Sequence, residues 1–114
     1  PITLGNHSEP QPDAAMVRAR PDGYRSAHPG PEDVLLVIEV ADTSAAFDIQ
    51  VKAKLYGKVG IPEYWVIDLQ EGCLRVFTEP SARGFKHLQV LERGDTVQSN
   101  SIASLTLMVK ELMP

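Results

Sequence analysis

Two apolar runs dominate the pattern of hydrophobic and polar positions. VLLVIEV, residues 34–40, is rich in β-branched residues and apolar at consecutive positions. A strand in the interior of a sheet shows this pattern, because neither of its faces meets water. YWVID, residues 64–68, predicts the next strand, and the shorter AAMVRAR, residues 14–20, predicts one before them.

Between the two apolar runs the spacing changes to that of a helix. Residues four apart predict the core stripe of a helix over about residues 44–59: Phe47, Val51, Leu55 and Val59. Gly60 and Pro62 follow directly and are typical of a helix end.

The remaining pattern predicts a hairpin and an ambiguous end. Residues 73–78 and 85–92 are separated by Gly84 and predict two paired strands. Residues 102–113 fit a final strand or a short helix equally well. A strand, a helix, a parallel return strand and a hairpin together imply a mixed sheet in an α/β or α+β domain.

Length and charge narrow the function classes. The chain has 114 residues, which is one domain, and 11 basic against 15 acidic side chains, for a net charge of −4. This balance argues against a broad phosphate-binding surface, though not against a local basic groove. The chain begins at Pro1, and we expect the single domain over residues 1–114 to lack an N-terminal portion of the full protein.

Cysteine usage and hydropathy indicate a reducing compartment. The single cysteine, Cys73, excludes an internal disulfide and a zinc site built from several cysteines, and a buried apolar role is expected for it. The longest aliphatic run is far shorter than the ~20 residues that span a bilayer, and no secretory signal is visible. We expect a cytoplasmic protein without membrane contact.

Glu39 is the most informative position, because it is a carboxylate inside VLLVIEV. A carboxylate among buried apolar residues costs several kcal/mol unless it is paired, hydrogen-bonded or bound to a metal. One interpretation is a buried glutamate satisfied by Arg18 or Lys52. The other is a metal ligand that acts together with Asp13 on a neighbouring strand, since paired carboxylates suit Mg²⁺.

Lys52 also has two interpretations. It follows Asp48 and precedes Tyr56 in a row four residues apart on the predicted helix. Such a row is often an ordinary acid-to-base pair. A lysine at the edge of a cleft would instead orient a water or neutralise a scissile phosphate.

These residues form a recognisable set: Pro12-Asp13, Glu39-Val40, Asp48 with Lys52 and Tyr56, Gly60, and Tyr64-Trp65 with Asp68. The set resembles a large bacterial endonuclease family of the PD-(D/E)XK restriction-endonuclease-like superfamily. The resemblance covers about residues 8–113. It implies a central mixed β-sheet flanked by helices.

The resemblance also implies roles for individual residues. Asp13 matches the acidic residue of the PD element, and Glu39 matches that of the (D/E)XK element. The lysine of that element would fall at position 41, which is alanine, and Lys52 on the following helix is the matching position. Mg²⁺ or Mn²⁺ would be held by Asp13, Glu39 and the backbone carbonyl of Val40, with DNA as the partner.

Two functions from different classes follow. The first is a metal-dependent endonuclease that hydrolyses DNA phosphodiester bonds, with a homodimer as a further expectation. The second is a non-catalytic interaction module that keeps the nuclease-like fold, in which Glu39 is only a buried ion-pair residue.

Overall fold

The fold is a mixed sheet with one helix across it. The computed structural model describes residues 13–19, 30–41 and 45–113, with side chains omitted for residues 45–48. Its elements in chain order are β1 (Ala14–Val17), a 3₁₀ turn (Pro31–Asp33), β2 (Val34–Ala41), α1 (Ala45–Lys58), β3 (Glu63–Asp68), β4 (Cys73–Ser81), β5 (Gly84–Glu92), β6 (Thr96–Gln98), β7 (Thr106–Met108) and a second 3₁₀ turn (Val109–Leu112).

The described strands form two sheets. The larger has the order β1-β2-β3-β4-β5, and β6 pairs with β7 in a small separate sheet. β2 and β3 run parallel, with Glu39 opposite Val66, and the other neighbours are antiparallel. The parallel pair is joined through α1, because parallel neighbours need a crossover connection. The predicted return strand and hairpin are thereby confirmed.

Continuous apolar runs arise here because the central strands are covered on both faces. All six residues of β3 are buried. Tyr64 and Val66 face α1, whereas Trp65 and Ile67 lie in the core on the opposite face. This second core is closed by residues from β6 and from the last 3₁₀ turn, including Val97 and Val109. A run with no polar alternation is therefore the expected pattern for β3.

The helix exists where it was predicted, but its predicted core stripe is partly wrong. Val51 is 49% exposed, while Ile49, Ala53 and Tyr56 are buried. The reason is geometric. A helix turns every 3.6 residues, so a series with strict four-residue spacing drifts around the helix and leaves the core face. The buried set follows the i, i+4, i+7 spacing instead, and Leu55 and Val59 pack only at its margin.

The helix lies close to the sheet at one end. A Cβ added at Gly57 would lie 2.3 Å from the backbone carbon of Gly84, at the start of β5. Gly60 ends the helix with a φ of 86°, a conformation that glycine adopts without strain. The described helix ends at Lys58, in agreement with the predicted stop.

The first and last elements of the described region differ in detail from the prediction. β1 ends at Val17 rather than near residue 20. The ambiguous segment 102–113 contains both alternatives, a three-residue strand followed directly by a 3₁₀ turn. β6 was not predicted, since three residues carry almost no periodicity.

Candidate functional site

Glu39 lies on the face of β2 that α1 covers, and it is 6% exposed. Its two oxygens have different partners. The Lys52 ammonium donates to Oε1 at 2.9 Å, and the Tyr64 hydroxyl donates to Oε2. The cost of burying a carboxylate is therefore offset by one charged and one neutral donor.

The sheet register and the helix bring these partners together. Tyr64 lies on β3, two residues before the position opposite Glu39, so both side chains point to the same face. Lys52 comes from α1, which packs on that face, and its side chain is 40% exposed. The ammonium therefore reaches Glu39 from the rim of the site rather than from the core.

Asp13 approaches the same place from β1. Ala14 pairs with Ile38 in an antiparallel ladder, which places Asp13 opposite Glu39. Its Oδ2 accepts a hydrogen bond from the Val40 backbone N–H at 2.6 Å. In a strand the N–H and C=O of one residue point to the same side. The Val40 carbonyl therefore points to the side of β2 on which Asp13 lies.

The pKa of Tyr64 is affected by both Glu39 and Asp13. Burial raises the pKa of Tyr64 far above its usual value, and the hydrogen bond to Glu39 raises it further. The negative charges of Glu39 and Asp13 both add to the rise in this pKa. A single hydroxyl thus senses both predicted metal-binding carboxylates.

Tyr56 is the neighbour of this cluster with an unused polar atom. It is fully buried, its ring centroid lies 4.9 Å from that of Tyr64, and its hydroxyl has no hydrogen-bond partner among the described residues. Burial, and secondly the charge of Glu39, raises the pKa of Tyr56 well above its usual value. The phenol therefore stays protonated beside the carboxylate.

The two carboxylates alone are too few ligands for a hard divalent cation. Asp13, Glu39 and the Val40 carbonyl offer oxygen ligands, the type that Mg²⁺ and Mn²⁺ prefer. Within the described part of the chain, no group of three His, Cys, Asp or Glu side chains is placed to hold a metal ion. A cation held by two carboxylates would complete its shell with the carbonyl, waters or substrate oxygens, as Mg²⁺ commonly does.

Asp68 has a structural role in the turn between β3 and β4. Its Oδ2 accepts from Arg75 at 2.9 Å, and its Oδ1 accepts from the Glu71 backbone N–H at 3.0 Å. The ion pair joins β3 to β4, and the backbone bond fixes the turn between them. Both carboxylate oxygens are thus used within the chain.

Sequence reasoning missed another buried carboxylate, Glu63, on the other face of the sheet. It is fully buried and accepts hydrogen bonds from the Trp65 indole at 2.7 Å and from the hydroxyls of Ser99 and Ser101. These bonds tie the C-terminal segment to β3. The available signal was a glutamate directly before YWVID, which extends the buried run by one residue.

Several further residues with reactive or aromatic side chains have no hydrogen bond to Glu39 in the described structure. Cys73 is buried, as predicted, and Trp65 is buried as well. His87 is exposed on β5. Lys54 lies on the side of α1 that meets Gly84, away from Glu39. His7, His28 and the side chain of Asp48 fall outside the described residues.

A comparison with models of protein families shows to which family the chain belongs. The model of the family Uma2, described as "Putative restriction endonuclease", matches residues 1–110. The chain belongs to the Uma2 family. Uma2 membership agrees with the mixed sheet and shows that the fold is restriction-endonuclease-like. The family description associates Uma2 proteins with nuclease activity.

The curated proteins contain no match to this chain. Among the described residues, none of the helices has the length and apolar character needed to cross a membrane.

Proposed function

We propose that this Uma2 protein is a Mg²⁺- or Mn²⁺-dependent endonuclease that hydrolyses DNA phosphodiester bonds. The observation that carries the proposal is the register of β1 and β2, which places Asp13 opposite Glu39, with the Lys52 ammonium 2.9 Å from Glu39. This is one buried and one exposed carboxylate beside a half-exposed cation, a composition suited to phosphoryl transfer.

The carboxylates of Asp13 and Glu39, with the Val40 carbonyl, would hold the ion. When bound, the ion would supply Lewis-acid polarisation of the phosphate and a lower pKa for a coordinated water. Asp13 keeps one oxygen engaged by the Val40 N–H. That bond fixes the carboxylate relative to β2 and leaves Oδ1 for other partners.

Lys52 would act on the substrate. The structure pairs its ammonium with Glu39, while 40% of its side chain is open to solvent. A flexible, strongly hydrated ammonium at the rim can turn toward an anionic phosphate and stabilise charge that develops during hydrolysis. Lys52 would thereby take the place of the motif lysine, which is missing because position 41 is alanine.

One observation favours the interaction module as a second candidate. Both oxygens of Glu39 are satisfied within the chain, by Lys52 and Tyr64. A buried ion pair with its hydrogen bonds complete needs no metal to be stable. Under this interpretation, neutralising Glu39 changes the stability of the protein and leaves its response to metal ions unchanged.

Cleavage of supercoiled plasmid DNA in Mg²⁺ or Mn²⁺ tests the proposal. We expect nicking that requires the ion and falls by at least about 100-fold in Asp13→Asn and Glu39→Gln, because each removes a ligand charge. Glu79→Gln is the matched control, because this exposed carboxylate lies on β4 beyond the residues that pair with β3. Equal cleavage by wild type and Glu39→Gln would contradict the assignment. The homodimer and the cytoplasmic location stay predictions.

A further inference from the structure

The two oxygens of Glu39 are held by very different donors. Oε2 accepts from Tyr64, which is 1% exposed, whereas Oε1 accepts from Lys52, whose side chain is 40% exposed. A long lysine side chain at the surface moves easily, because its four-carbon stem is flexible and its charge is well hydrated. Oε1 can therefore be released far more readily than Oε2.

Aromatic packing fixes the Tyr64 hydroxyl in place. The Tyr64 ring lies against three others, with centroid distances of 4.9 Å to Tyr56, 5.5 Å to Phe77 and 6.4 Å to Phe85. Rings packed this closely in a core keep one rotamer. The hydroxyl consequently stays at Oε2 of Glu39 whatever Lys52 does.

We propose that Tyr64 is a positioning residue that reserves Oε2 of Glu39 and leaves Oε1 for the cation, which favours Mn²⁺ and Mg²⁺ over Ca²⁺. The proposal rests on the proposed function, because it assumes that Glu39 binds the ion. Mg²⁺ requires a near-ideal octahedral shell, whereas Ca²⁺ accepts more ligands and often uses both oxygens of one carboxylate. A carboxylate with one oxygen already engaged offers a single oxygen to the ion, which suits Mg²⁺ and Mn²⁺ better than Ca²⁺.

The chain offers a matched pair of variants for the test. Tyr64→Phe keeps the ring and removes the hydroxyl that bonds Glu39. Tyr56→Phe removes a hydroxyl from the adjacent ring, and that hydroxyl has no partner in the described residues. Both variants lose one buried oxygen, so packing effects are matched and only the contact with Glu39 differs.

The measurement is equilibrium binding of Mn²⁺, followed by the electron paramagnetic resonance signal of the free ion, with Ca²⁺ as competitor. We expect Tyr64→Phe to weaken Mn²⁺ binding by about 10- to 100-fold, the usual effect of losing a partner of a metal ligand. Ca²⁺ binding should change less, so the ratio of the Ca²⁺ to the Mn²⁺ Kd falls. Tyr56→Phe should stay within about twofold of wild type, since it breaks no hydrogen bond among the described residues.

The outcomes separate this inference from the proposed function. No Mn²⁺ binding by the wild type overturns both. Mn²⁺ binding that is lost in Glu39→Gln but has the same Ca²⁺ to Mn²⁺ ratio in Tyr64→Phe overturns the role of Tyr64 and leaves the metal site standing. An equal change of that ratio in Tyr56→Phe also overturns it. Circular dichroism of each variant shows that the fold is retained during these titrations.

Discussion

Replacing Lys52 by methionine tests how the buried carboxylate is stabilised. Methionine keeps most of the apolar stem of lysine and removes the ammonium. Among the described residues, the Glu39 side chain, 8% exposed, then keeps only the Tyr64 hydroxyl as a donor. An almost fully buried carboxylate loses its cation, and the folded state should become less stable.

The magnitude follows from the exposure of the two partners. Removing one partner of a fully buried pair costs about 3–5 kcal/mol, whereas exposed pairs contribute about 0–1 kcal/mol. Here one side chain is buried and the other is 40% exposed. We expect Lys52→Met to lower the free energy of unfolding by about 2 kcal/mol, between these two limits. For a domain of this size that corresponds to a fall in Tm of roughly 8 °C.

Urea unfolding provides the assay, with the fluorescence of the single tryptophan, Trp65, as the signal. Trp65 is fully buried, so unfolding changes its surroundings completely. Lys54→Met, on the face of α1 that meets β5, is the matched control and should stay within about 0.5 kcal/mol of wild type. A double-mutant cycle with Glu39→Gln should give a coupling of about 1–2 kcal/mol. Equal stabilities of Lys52→Met and Lys54→Met would refute the reasoning.

Three further predictions concern packing and titration. Gly57→Ala should lower the free energy of unfolding by about 1–3 kcal/mol, because its Cβ would meet the Gly84 backbone at 2.3 Å; Gly94→Ala, with open space, should not, and equal urea midpoints would contradict the packing. The Cys73 thiol is buried and burial raises its pKa, so iodoacetamide at pH 8 should react only after unfolding, and fast native alkylation would be inconsistent with this burial. Burial raises the pKa of Tyr56 above its value in the unfolded chain. The contribution of this hydroxyl to stability is therefore complete below about pH 10 and is lost as pH rises further. Between pH 9 and 11, Tyr56→Phe should lose less stability than wild type, and identical pH profiles of the two proteins would contradict this prediction.

The parts of the fold that sequence could predict are those with strong periodicity. The apolar runs of β2 and β3 carry the sheet centre, because strands covered on both faces cannot alternate. The helix was predictable in extent, but Val51 shows the limit of a spacing rule, since four-residue steps drift off the core face. β6 and β7 are too short to carry a pattern.

The carboxylates of the candidate site could be named from the sequence, but their contacts could not. A glutamate inside an apolar strand identified Glu39, but the pattern left Arg18 and Lys52 open as its partner. The structure places Lys52 there. The bond from Tyr64 depends on the register between β2 and β3, and apolar runs without alternation specify that register only weakly. Glu63 was missed because two of its donors, Ser99 and Ser101, lie 36 and 38 residues later in the chain.

The most direct test of the central claim is the Tm as a function of Mn²⁺ and Mg²⁺ concentration, for wild type and for Glu39→Gln. A ligand that binds only the folded state stabilises it by mass action, by about 2.7 kcal/mol at 100 times its Kd. The account predicts a rise for the wild type that Glu39→Gln abolishes. A wild-type Tm that does not respond to either ion, with a plain loss of stability in Glu39→Gln, would contradict the metal site and favour the buried ion pair.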